Sequence, residues 1–299
     1  MRVAIILNGI SRKKDFFYQK ILPSIHHAQE VHVFETQRPG HAIELSAQAA
    51  DQHFDVVLAA GGDGTLNQVL NGVFQKERTT PPAIGIIPLG TGNDFARLLG
   101  LRAEGNQISN LLSNKSFHPI DVGELFCEDE QGTKVTRYFL NVCSLGMGPE
   151  VVRKLMKSSR AWGPTLTYFN AITHTFFTHQ PQPVTIESEQ WEWSGHARVV
   201  AVANGKSFGN GLFIAPDAQP DDGIFSTFVA SDLPLFKFLF YLQSIKSKQK
   251  LRDPKILYNT CKSIHLHAPE RTVLEAEGEL QGYLPATIRV KPQAIRFLR

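Results

Sequence analysis

The stretch DVVLAAGGDGTLNQVL, residues 55–70, contains a strand, a glycine turn and a helix in that order. Residues 56–58 form a continuous apolar run, which is typical of a strand buried on both faces of a parallel sheet. The apolar positions after the turn recur at helical spacing: Leu66, Val69 and Leu70. A plain Gly-Asp-Gly hairpin is the alternative, but it predicts an alternating strand after the turn. The stretch therefore predicts a glycine loop at the carboxyl end of a parallel strand, where open α/β sheets bind ligands.

A second stretch, AIGIIPLGTGNDFARLL at residues 83–99, repeats this order. Glycines at such turns allow positive φ and close approach to a pyrophosphate, and the following helix points unpaired N–H groups at the anion. Asn93 and Asp94 stand where a helix cap is expected, and Thr91 offers a hydroxyl. The alternative is an ordinary strand-to-helix loop with a helix-capping Asn or Asp, which would have a similar sequence. The pairing of two such loops favours a nucleotide-phosphate site, although neither has the spacing G-x-x-x-x-G-K-[ST] or G-x-G-x-x-G.

Asp63 is the only charged residue between Asp55 and Lys76. A carboxylate among glycines would repel neighbouring phosphates unless a cation lay between them. We therefore assign Asp63 to Mg²⁺ or its water shell, or to the hydroxyl that accepts the phosphoryl group.

A second acidic candidate lies near the carboxyl end, where residues 272–279 read TVLEAEGE. Read as a strand running into a glycine turn, this segment places Glu275, Glu277 and Glu279 on one face. Three like charges raise at least one pKa, which suits a general base that takes a proton from an alcohol. A solvated acidic strand edge is the alternative.

The chain changes character after about residue 113. Predicted strands cover residues 2–7, 31–35, 55–60 and 83–87, and predicted helices cover 14–28, 41–53, 66–75 and 94–99. This alternation is typical of a parallel sheet. The later runs are short, alternating and punctuated by Gly and Pro, as in an antiparallel sheet or sandwich. At 299 residues and 42% hydrophobic content, two cores are expected.

Composition excludes several classes of protein. A net charge of +3 and a pI near 8.7 are too small to indicate nucleic-acid binding. Three widely spaced cysteines predict reduced, buried thiols and a cytoplasmic location.

The amino terminus has only five apolar residues before Asn8, fewer than a signal peptide needs. No apolar run reaches the roughly eighteen residues of a spanning helix, so membrane contact is expected to be peripheral.

Seven blocks together resemble one family. They are Gly61–Thr65, Pro88–Ala96, Asp121–Gly123, Phe139–Val142, Ala203–Gly205, Ala215–Ala218 with Asp221–Gly223, and Glu277–Gly278–Glu279. In this order they resemble the bacterial diacylglycerol kinase-like lipid kinases, relatives of the NAD kinase and phosphofructokinase superfamily. The resemblance implies phosphorylation of a lipid hydroxyl with ATP and Mg²⁺. It also implies an α/β nucleotide-binding domain with a mostly parallel sheet at 1–124, joined by returning residues 290–299, and an antiparallel β-sandwich-like domain at 125–289. The acceptor would bind in the cleft between them.

The same resemblance implies roles for individual residues. Glu279 would be the proton acceptor, Asp63 would organise metal and acceptor, and Asp222 would hold a structural Mg²⁺ with the carbonyls of Gln219 and Ile224, where a plain turn is the alternative. The implied nucleotide residues are Thr36, Gly61, Gly62, Asp63, Gly64, Thr65, Leu66, Asn67, Gln68, Gly90, Thr91, Gly92, Asn93 and Asp94. Supporting roles fall to Asn8, Ser11, Asp121 and Glu277. The chain departs from the family at Gly9 and Arg12, where relatives carry Pro and Gly, and at Glu277, where they carry Asp.

A lipid acceptor requires contact with a membrane surface. Residues 233–252 combine aromatic bulk with a basic tail, and residues 153–177 are also rich in aromatics. The alternative interpretation of residues 233–252 is a helix packed in the core and followed by a solvated basic tail. The sequence does not distinguish among diacylglycerol, phosphatidylglycerol and sphingoid acceptors. It also does not indicate the oligomeric state. A soluble-substrate kinase of the NAD kinase superfamily and an inactive nucleotide-binding sensor are the alternative functions.

Overall fold

The computed structural model describes residues 1–25, 30–158 and 164–299. The chain forms two compact units, one of Met1–Asp121 with Gln293–Arg299 and one of Val122–Pro292. The sequence placed these boundaries at residues 124 and 290. Within the described ranges, no helix has the length and hydropathy needed to cross a bilayer.

The first unit alternates strands and helices. Its elements are β1 (Arg2–Leu7), α1 (Lys14–Phe16), β2 (Glu30–Glu35), α2 (His41–Asp51), β3 (Val56–Gly61), α3 (Asp63–Val73), β4 (Ala83–Pro88), α4 (Asp94–Leu98), α5 (Gly105–Ser113), the start of β5 (Phe117–Glu128) and the end of the last strand. After α1 the chain continues as a π-helical segment, Phe17–Ile21, and a 3₁₀ turn, Leu22–Ser24. The predicted first helix thus ends around Pro23, and its residues 26–28 lie outside the described part of the chain.

The strands of this unit run in the order β2, β1, β3, β4, and each neighbouring pair is parallel. The end of the last strand adds alongside β4, with Phe297 opposite Ile84. The family resemblance likewise implies a return of the carboxyl-terminal residues to this unit. The chain moves to one side of β1 to form β2 and then to the other side to form β3. Such a reversal of strand order marks where open sheets bind ligands.

Burial explains why these segments are strands. Every residue of β3 and β4 is buried, as their unbroken apolar runs predict for strands covered on both faces. Helices α2 and α3 pack closely because Gly72 lacks a side chain. A Cβ there would lie 2.2 Å from the carbonyl oxygen of Ile43.

The second unit is mostly antiparallel. Its elements are the remainder of β5, β6 (Lys134–Phe139), β7 (Val142–Gly146), α6 (Met147–Lys157), α7 (Pro164–Thr178), β8 (Gln182–Ser188), β9 (Glu192–Ala203), β10 (Phe225–Ser231), α8 (Leu235–Lys246), β11 (Ile256–Cys261), β12 (Ser263–His267), β13 (Val273–Ala276) and β14 (Glu279–Leu298).

Six of these strands close into a barrel. The antiparallel pairs run β9–β7–β13–β14–β12–β8 and return to β9. The interior is filled by buried apolar side chains, among them Leu145, Val202, Leu266 and Ile288. The antiparallel prediction is confirmed, but the closure of the sheet was not anticipated.

A second apolar cluster lies on the outer side of β9. Ala201 and Ala203 alternate with the inward-facing Val200 and Val202, so both faces of this strand are covered. The outer cluster includes buried residues of two helices, Ile172 of α7 and Ile245 of α8. These helices therefore cover the barrel with one side each. The predicted aromatic segment 153–177 includes residues 159–163, which lie outside the described ranges.

Candidate active site

The two glycine loops pack directly against each other. A Cβ on Gly90 would lie 2.5 Å from Cα of Gly62. The amide groups of Leu89 and Gly90 both donate to the carbonyl of Gly61, at 2.9 and 3.1 Å. The loops after β3 and β4 therefore form one structure at the carboxyl edge of the sheet.

The reason for the glycines differs from the predicted one. Gly61, Gly62, Gly64, Gly90 and Gly92 do not have positive φ values, so the expectation of left-handed turns is wrong. A Cβ on Gly62 would lie 3.3 Å from Cα of Gly90, and a Cβ on Gly61 would lie 2.3 Å from the hydroxyl oxygen of Thr65. Gly62 and Gly90 are therefore glycine because the two loops touch through their main chains. Gly61 is glycine because the side chain at the start of α3 packs against it.

Asp63 caps the helix of the other loop. Its Oδ2 accepts a hydrogen bond from the amide of Asp94 at 3.0 Å, and its Oδ1 accepts one from the amide of Phe95 at 3.1 Å. Burial, together with the nearby Asp94 carboxylate, raises the pKa of Asp63. The first two amides of α4 are thus bonded to a side chain from another loop.

Asn93 does not have the predicted capping role. It precedes α4 with φ of 52° and makes no side-chain cap bond. Its Nδ2 donates instead to the carbonyl of Gly90 at 2.8 Å, while its buried Oδ1 accepts no hydrogen bond. The amide side chain of Asn93 therefore braces the second glycine loop. Asp94 is buried and pairs with Arg97, and Thr91 is exposed.

The start of α3 differs from that of α4. The first helical hydrogen bond of this 11-residue helix runs from the amide of Leu66 to the carbonyl of Gly62. Helix geometry leaves the preceding amides, including those of Gly64 and Thr65, without partners inside the helix. The side chains of Leu66 and Asn67 are buried, whereas Gln68 is half-buried. The amino end of α3 thus suits an anion better than that of α4.

Residues after β1 and β2 join the same edge. Nδ2 of Asn8 donates to Oγ1 of Thr65 at 3.3 Å. The hydroxyl of Thr36 accepts from the amide of Gly9 at 3.0 Å. Ser11 makes no side-chain cap on α1, because its hydroxyl accepts from the amide of Lys13, ahead of the helix. Asn8 therefore contacts the first glycine loop directly, and Thr36 contacts the turn after β1 that carries Asn8.

Two other predicted residues have local roles in their own units. Asp121 is fully buried, and its Oδ1 accepts from the amide of Gln293 at 2.7 Å, which fixes the returning strand. Oδ1 of the exposed Asp222 accepts from the amide of Ile224 at 3.1 Å, within a turn where Gly223 has φ of 75°. Gln219 is also exposed.

The acidic segment of the second unit forms a tight hairpin. Ala276 pairs with Glu279, so Glu277 and Gly278 are the two turn residues. Both have positive φ, 56° and 78°, as a type I′ turn requires. The prediction that residues 275, 277 and 279 share one strand face is therefore wrong. Oε1 of Glu277 accepts from the amides of Leu140 and Asn141, at 3.1 and 2.6 Å, and Glu279 is half-buried at the start of β14.

Comparison with known proteins identifies the family. The profile of the diacylglycerol kinase catalytic domain matches residues 2–125. That of the YegS C-terminal NAD kinase beta sandwich-like domain matches residues 141–299. The chain belongs to the diacylglycerol kinase-like lipid kinases. It is therefore a kinase, and the resemblance read from its sequence is confirmed.

Individual relatives of this kinase match it over nearly its whole length. The diacylglycerol kinase of Bacillus subtilis is 27% identical over 95% of this chain and 91% of its own. That of Staphylococcus carnosus is 28% identical over 95% and 90%. A crystal structure of a diacylglycerol kinase from Bacillus anthracis superposes with a TM-score of 0.72 at 22% identity, covering 99% of this chain and 96% of that one. Yeast NADH kinase shares the fold, with a TM-score of 0.52 at 11% identity over 99% and 82%.

The kinase contains a buried carboxyl group that the sequence named only as one member of the acidic segment. Glu275 lies opposite Ser144 in the pairing of β13 with β7 and accepts a hydrogen bond from its hydroxyl. Its Oε2 accepts from the amide of Gly278 at 3.1 Å, so Glu275 also supports the hairpin turn. Burial raises the pKa of Glu275 to about 7, although both hydrogen bonds lower it. The sequence predicted a raised pKa in this segment from charge repulsion, but the cause is burial.

This raised pKa predicts that stability depends on pH. Between about pH 4.5 and 7, folded Glu275 keeps a proton that the unfolded chain has released, so the free energy of unfolding falls as pH rises. The loss is roughly 3 kcal/mol. Denaturant titrations should show it in the wild type and not in Glu275→Gln. Glu192→Gln, an exposed change on β9, should follow the wild type. Equal pH profiles for the wild type and Glu275→Gln would contradict the assignment.

The contact between the glycine loops predicts a strong effect of Gly90→Ala. The added methyl would lie 2.5 Å from Gly62 and 2.8 Å from Oδ1 of Asn93, so one loop must move. We expect ATP affinity, measured by calorimetry, to fall about tenfold or more. A loss of this size corresponds to the usual free-energy cost of adding a methyl group to a packed site. In the same loop, Gly92→Ala brings a methyl only to 3.3 Å from Oδ2 of Asp63 and should cost less. ATP binding of wild-type strength by Gly90→Ala would contradict the role given to this contact.

Proposed function

We propose that the kinase transfers the γ-phosphoryl group of ATP to the hydroxyl of a membrane lipid, with Mg²⁺ as cofactor. Membership of the lipid kinase family supports a lipid acceptor, and relatives of nearly equal length are named diacylglycerol kinases. A diacylglycerol-like lipid is therefore the first acceptor to test, ahead of phosphatidylglycerol and sphingoid bases. The observation that carries the nucleotide part is the joined pair of glycine loops beside the amino end of α3.

The first unit would hold the nucleotide. The amides at the start of α3 would donate to phosphate oxygens, as helix amino ends do in other phosphate sites. Asn8, Thr36 and Thr65 would line this edge with polar groups. The hydroxyl of Thr36 already accepts from Gly9, and that of Thr65 from Asn8, so their orientations are fixed before the nucleotide binds. Because phosphoryl transfer depends mainly on positioning and electrostatics, such fixed donors suit the reaction.

The donor chemistry at two places fits Mg²⁺. Asp63 offers carboxylate oxygens beside the phosphate loops, and bound Mg²⁺ would neutralise charge on the phosphates there. Asp222, with the carbonyls of Gln219 and Ile224, would offer the oxygen ligands that hard cations prefer. Asp222 and Gln219 are both exposed, so a hydrated ion could reach them. Within the described residues, no group of three or more His, Cys, Asp or Glu could hold a metal, so water would complete either shell.

Glu279 would take the proton of the acceptor hydroxyl. The hairpin fixes its backbone, because Ala276 pairs with Glu279 and the turn before it is tied down at both residues. Glu277 accepts two main-chain amides, and Gly278 donates to Glu275. These bonds engage the carboxyl groups of Glu275 and Glu277 in the structure of the hairpin. We assign the chemistry to Glu279 because it matches the last residue of the family's Asp-Gly-Glu block.

A transfer assay tests the proposal. Purified protein is incubated with Mg²⁺, ATP labelled in the γ position and, separately, diacylglycerol, phosphatidylglycerol, sphingosine, NAD and a sugar phosphate. We expect label in the lipid fraction after thin-layer separation, with diacylglycerol the best acceptor. Label in NAD or the sugar phosphate alone would assign the protein to soluble-substrate kinases. ATP binding without transfer to any acceptor would indicate an inactive nucleotide sensor.

A further inference from the structure

Helix α8 exposes two large aromatic side chains to solvent. Phe236 and Phe240, one helical turn apart, are 70% and 68% exposed. The opposite side of the helix packs on the barrel, where Ile245 is buried and Phe238, Tyr241 and Leu242 are partly buried. The two phenylalanines are therefore not needed for the packing of α8.

Helix α7 continues this apolar surface. Phe176 of α7 stacks on Phe238 of α8, with ring centroids 4.3 Å apart, which holds the two helices together. On α7, Phe169 and Phe177 are 49% and 60% exposed. We call the four exposed residues Phe169, Phe177, Phe236 and Phe240 the aromatic face. Clusters of exposed apolar side chains commonly mark binding surfaces.

The two segments that carry the aromatic face contain no acidic residue. The chain has 28 Asp and Glu residues, yet none lies in 151–186 or in 233–252. The second segment ends in Lys246, Lys248, Lys250 and Arg252, all of them exposed. Lys250 pairs with Asp217, and Lys237 pairs with Asp253. Lys246, Lys248 and Arg252 therefore supply the basic character of this tail. Exposed aromatic side chains followed by a basic tail complement an anionic lipid bilayer.

We propose that the aromatic face of α7 and α8 docks on an anionic lipid bilayer, with Phe236 and Phe240 entering the interface and the lysine-rich tail contacting lipid phosphates. The inference rests on the proposed function, since a lipid kinase must reach an acceptor held in a membrane. At 12 residues α8 is too short to span a bilayer and suits a helix lying in the interface. In this proposal both segments that the sequence left open, 153–177 and 233–252, contribute to the docking surface. The alternative, a helix packed in the core, describes only the inner side of α8.

Vesicle flotation without nucleotide tests docking separately from catalysis. The wild type should float with vesicles containing phosphatidylglycerol, less with pure phosphatidylcholine, and less again in about 0.5 M salt, which screens the lysines. The double variant Phe236→Ser with Phe240→Ser should lower the bound fraction about tenfold. Phe126→Ser is the matched control, because Phe126 is an exposed aromatic on β5. Flotation of wild-type strength by the double variant would overturn the proposal.

Two further measurements separate membrane docking from self-association and from acceptor binding. Sedimentation should give the same mass for the wild type and the double variant, whereas a dimer lost in the variant would make this face a contact between copies of the chain. With a water-soluble short-chain diacylglycerol the double variant should keep wild-type turnover, and with vesicles it should lose it. Equal loss on both acceptors would assign the phenylalanines to acceptor binding instead. Flotation by a wild type that phosphorylates no lipid would leave docking intact and overturn the proposed function.

Discussion

Replacing Glu279 with Gln is expected to lower turnover at least about a hundredfold while ATP affinity stays near the wild-type value. Glutamine keeps the size and most hydrogen-bonding geometry of glutamate, but it cannot accept a proton from a hydroxyl. A positioned general base contributes about 10²- to 10⁴-fold, and a hundredfold corresponds to roughly 3 kcal/mol. Initial rates at saturating ATP and acceptor measure turnover, and calorimetry measures ATP affinity.

Neighbouring carboxyl groups provide the controls. Glu192→Gln makes the same chemical change on an exposed strand and should retain full turnover. Thermal unfolding of Glu279→Gln should match the wild type, which separates lost chemistry from lost structure. Near-normal turnover in a folded Glu279→Gln sample would remove the residue from the mechanism. If Glu275→Gln alone abolished turnover in a folded protein, the proton acceptor would instead be the buried Glu275.

Local patterns were sufficient to predict the two strand–loop–helix segments of the first unit. The apolar runs before Gly61 and Gly90 identified strands β3 and β4, and the helical spacing after each loop identified α3 and α4. These signals lie close together in the sequence, and burial on both faces leaves little choice of structure. The two loops could be recognised as a pair because each directly follows a recognisable strand. Neighbouring parallel strands end at the same edge of the sheet, so their loops lie together.

Contacts between distant residues could not be predicted in this way. The bonds from Asp63 to the amides of α4 join residues 31 and 32 positions apart, and no local pattern indicates them. The sequence accordingly assigned the cap to Asn93 and Asp94. The hairpin at Glu277 was missed because a turn with two positive-φ residues normally carries Asn or Asp before Gly. Closure of the barrel depends on six pairings, none of which leaves a signal in a single strand.

Asp63→Asn is expected to reduce kcat/KM at least about a hundredfold, because Asp63 would have two tasks. As a helix cap it accepts the amides of Asp94 and Phe95 with separate oxygens. Asparagine has one oxygen, so one amide would face an NH₂ group. A buried amide without an acceptor costs about 1 to 3 kcal/mol, and the melting temperature should fall accordingly. As a metal residue, Asp63 would also lose the negative charge that attracts Mg²⁺.

The magnesium dependence of the rate separates these two tasks. If Asp63 holds the metal, Asp63→Asn should need a higher Mg²⁺ concentration for half-maximal rate, and excess Mg²⁺ should restore part of the activity. If Asp63 is only a cap, the melting temperature and ATP affinity should fall while the Mg²⁺ requirement stays unchanged. Asp51→Asn is the control, since Asp51 carries the same charge on the surface, paired with Lys76 and Arg78. A folded Asp63→Asn protein with wild-type kcat/KM would exclude a part for Asp63 in holding the metal or in positioning the proposed nucleotide site.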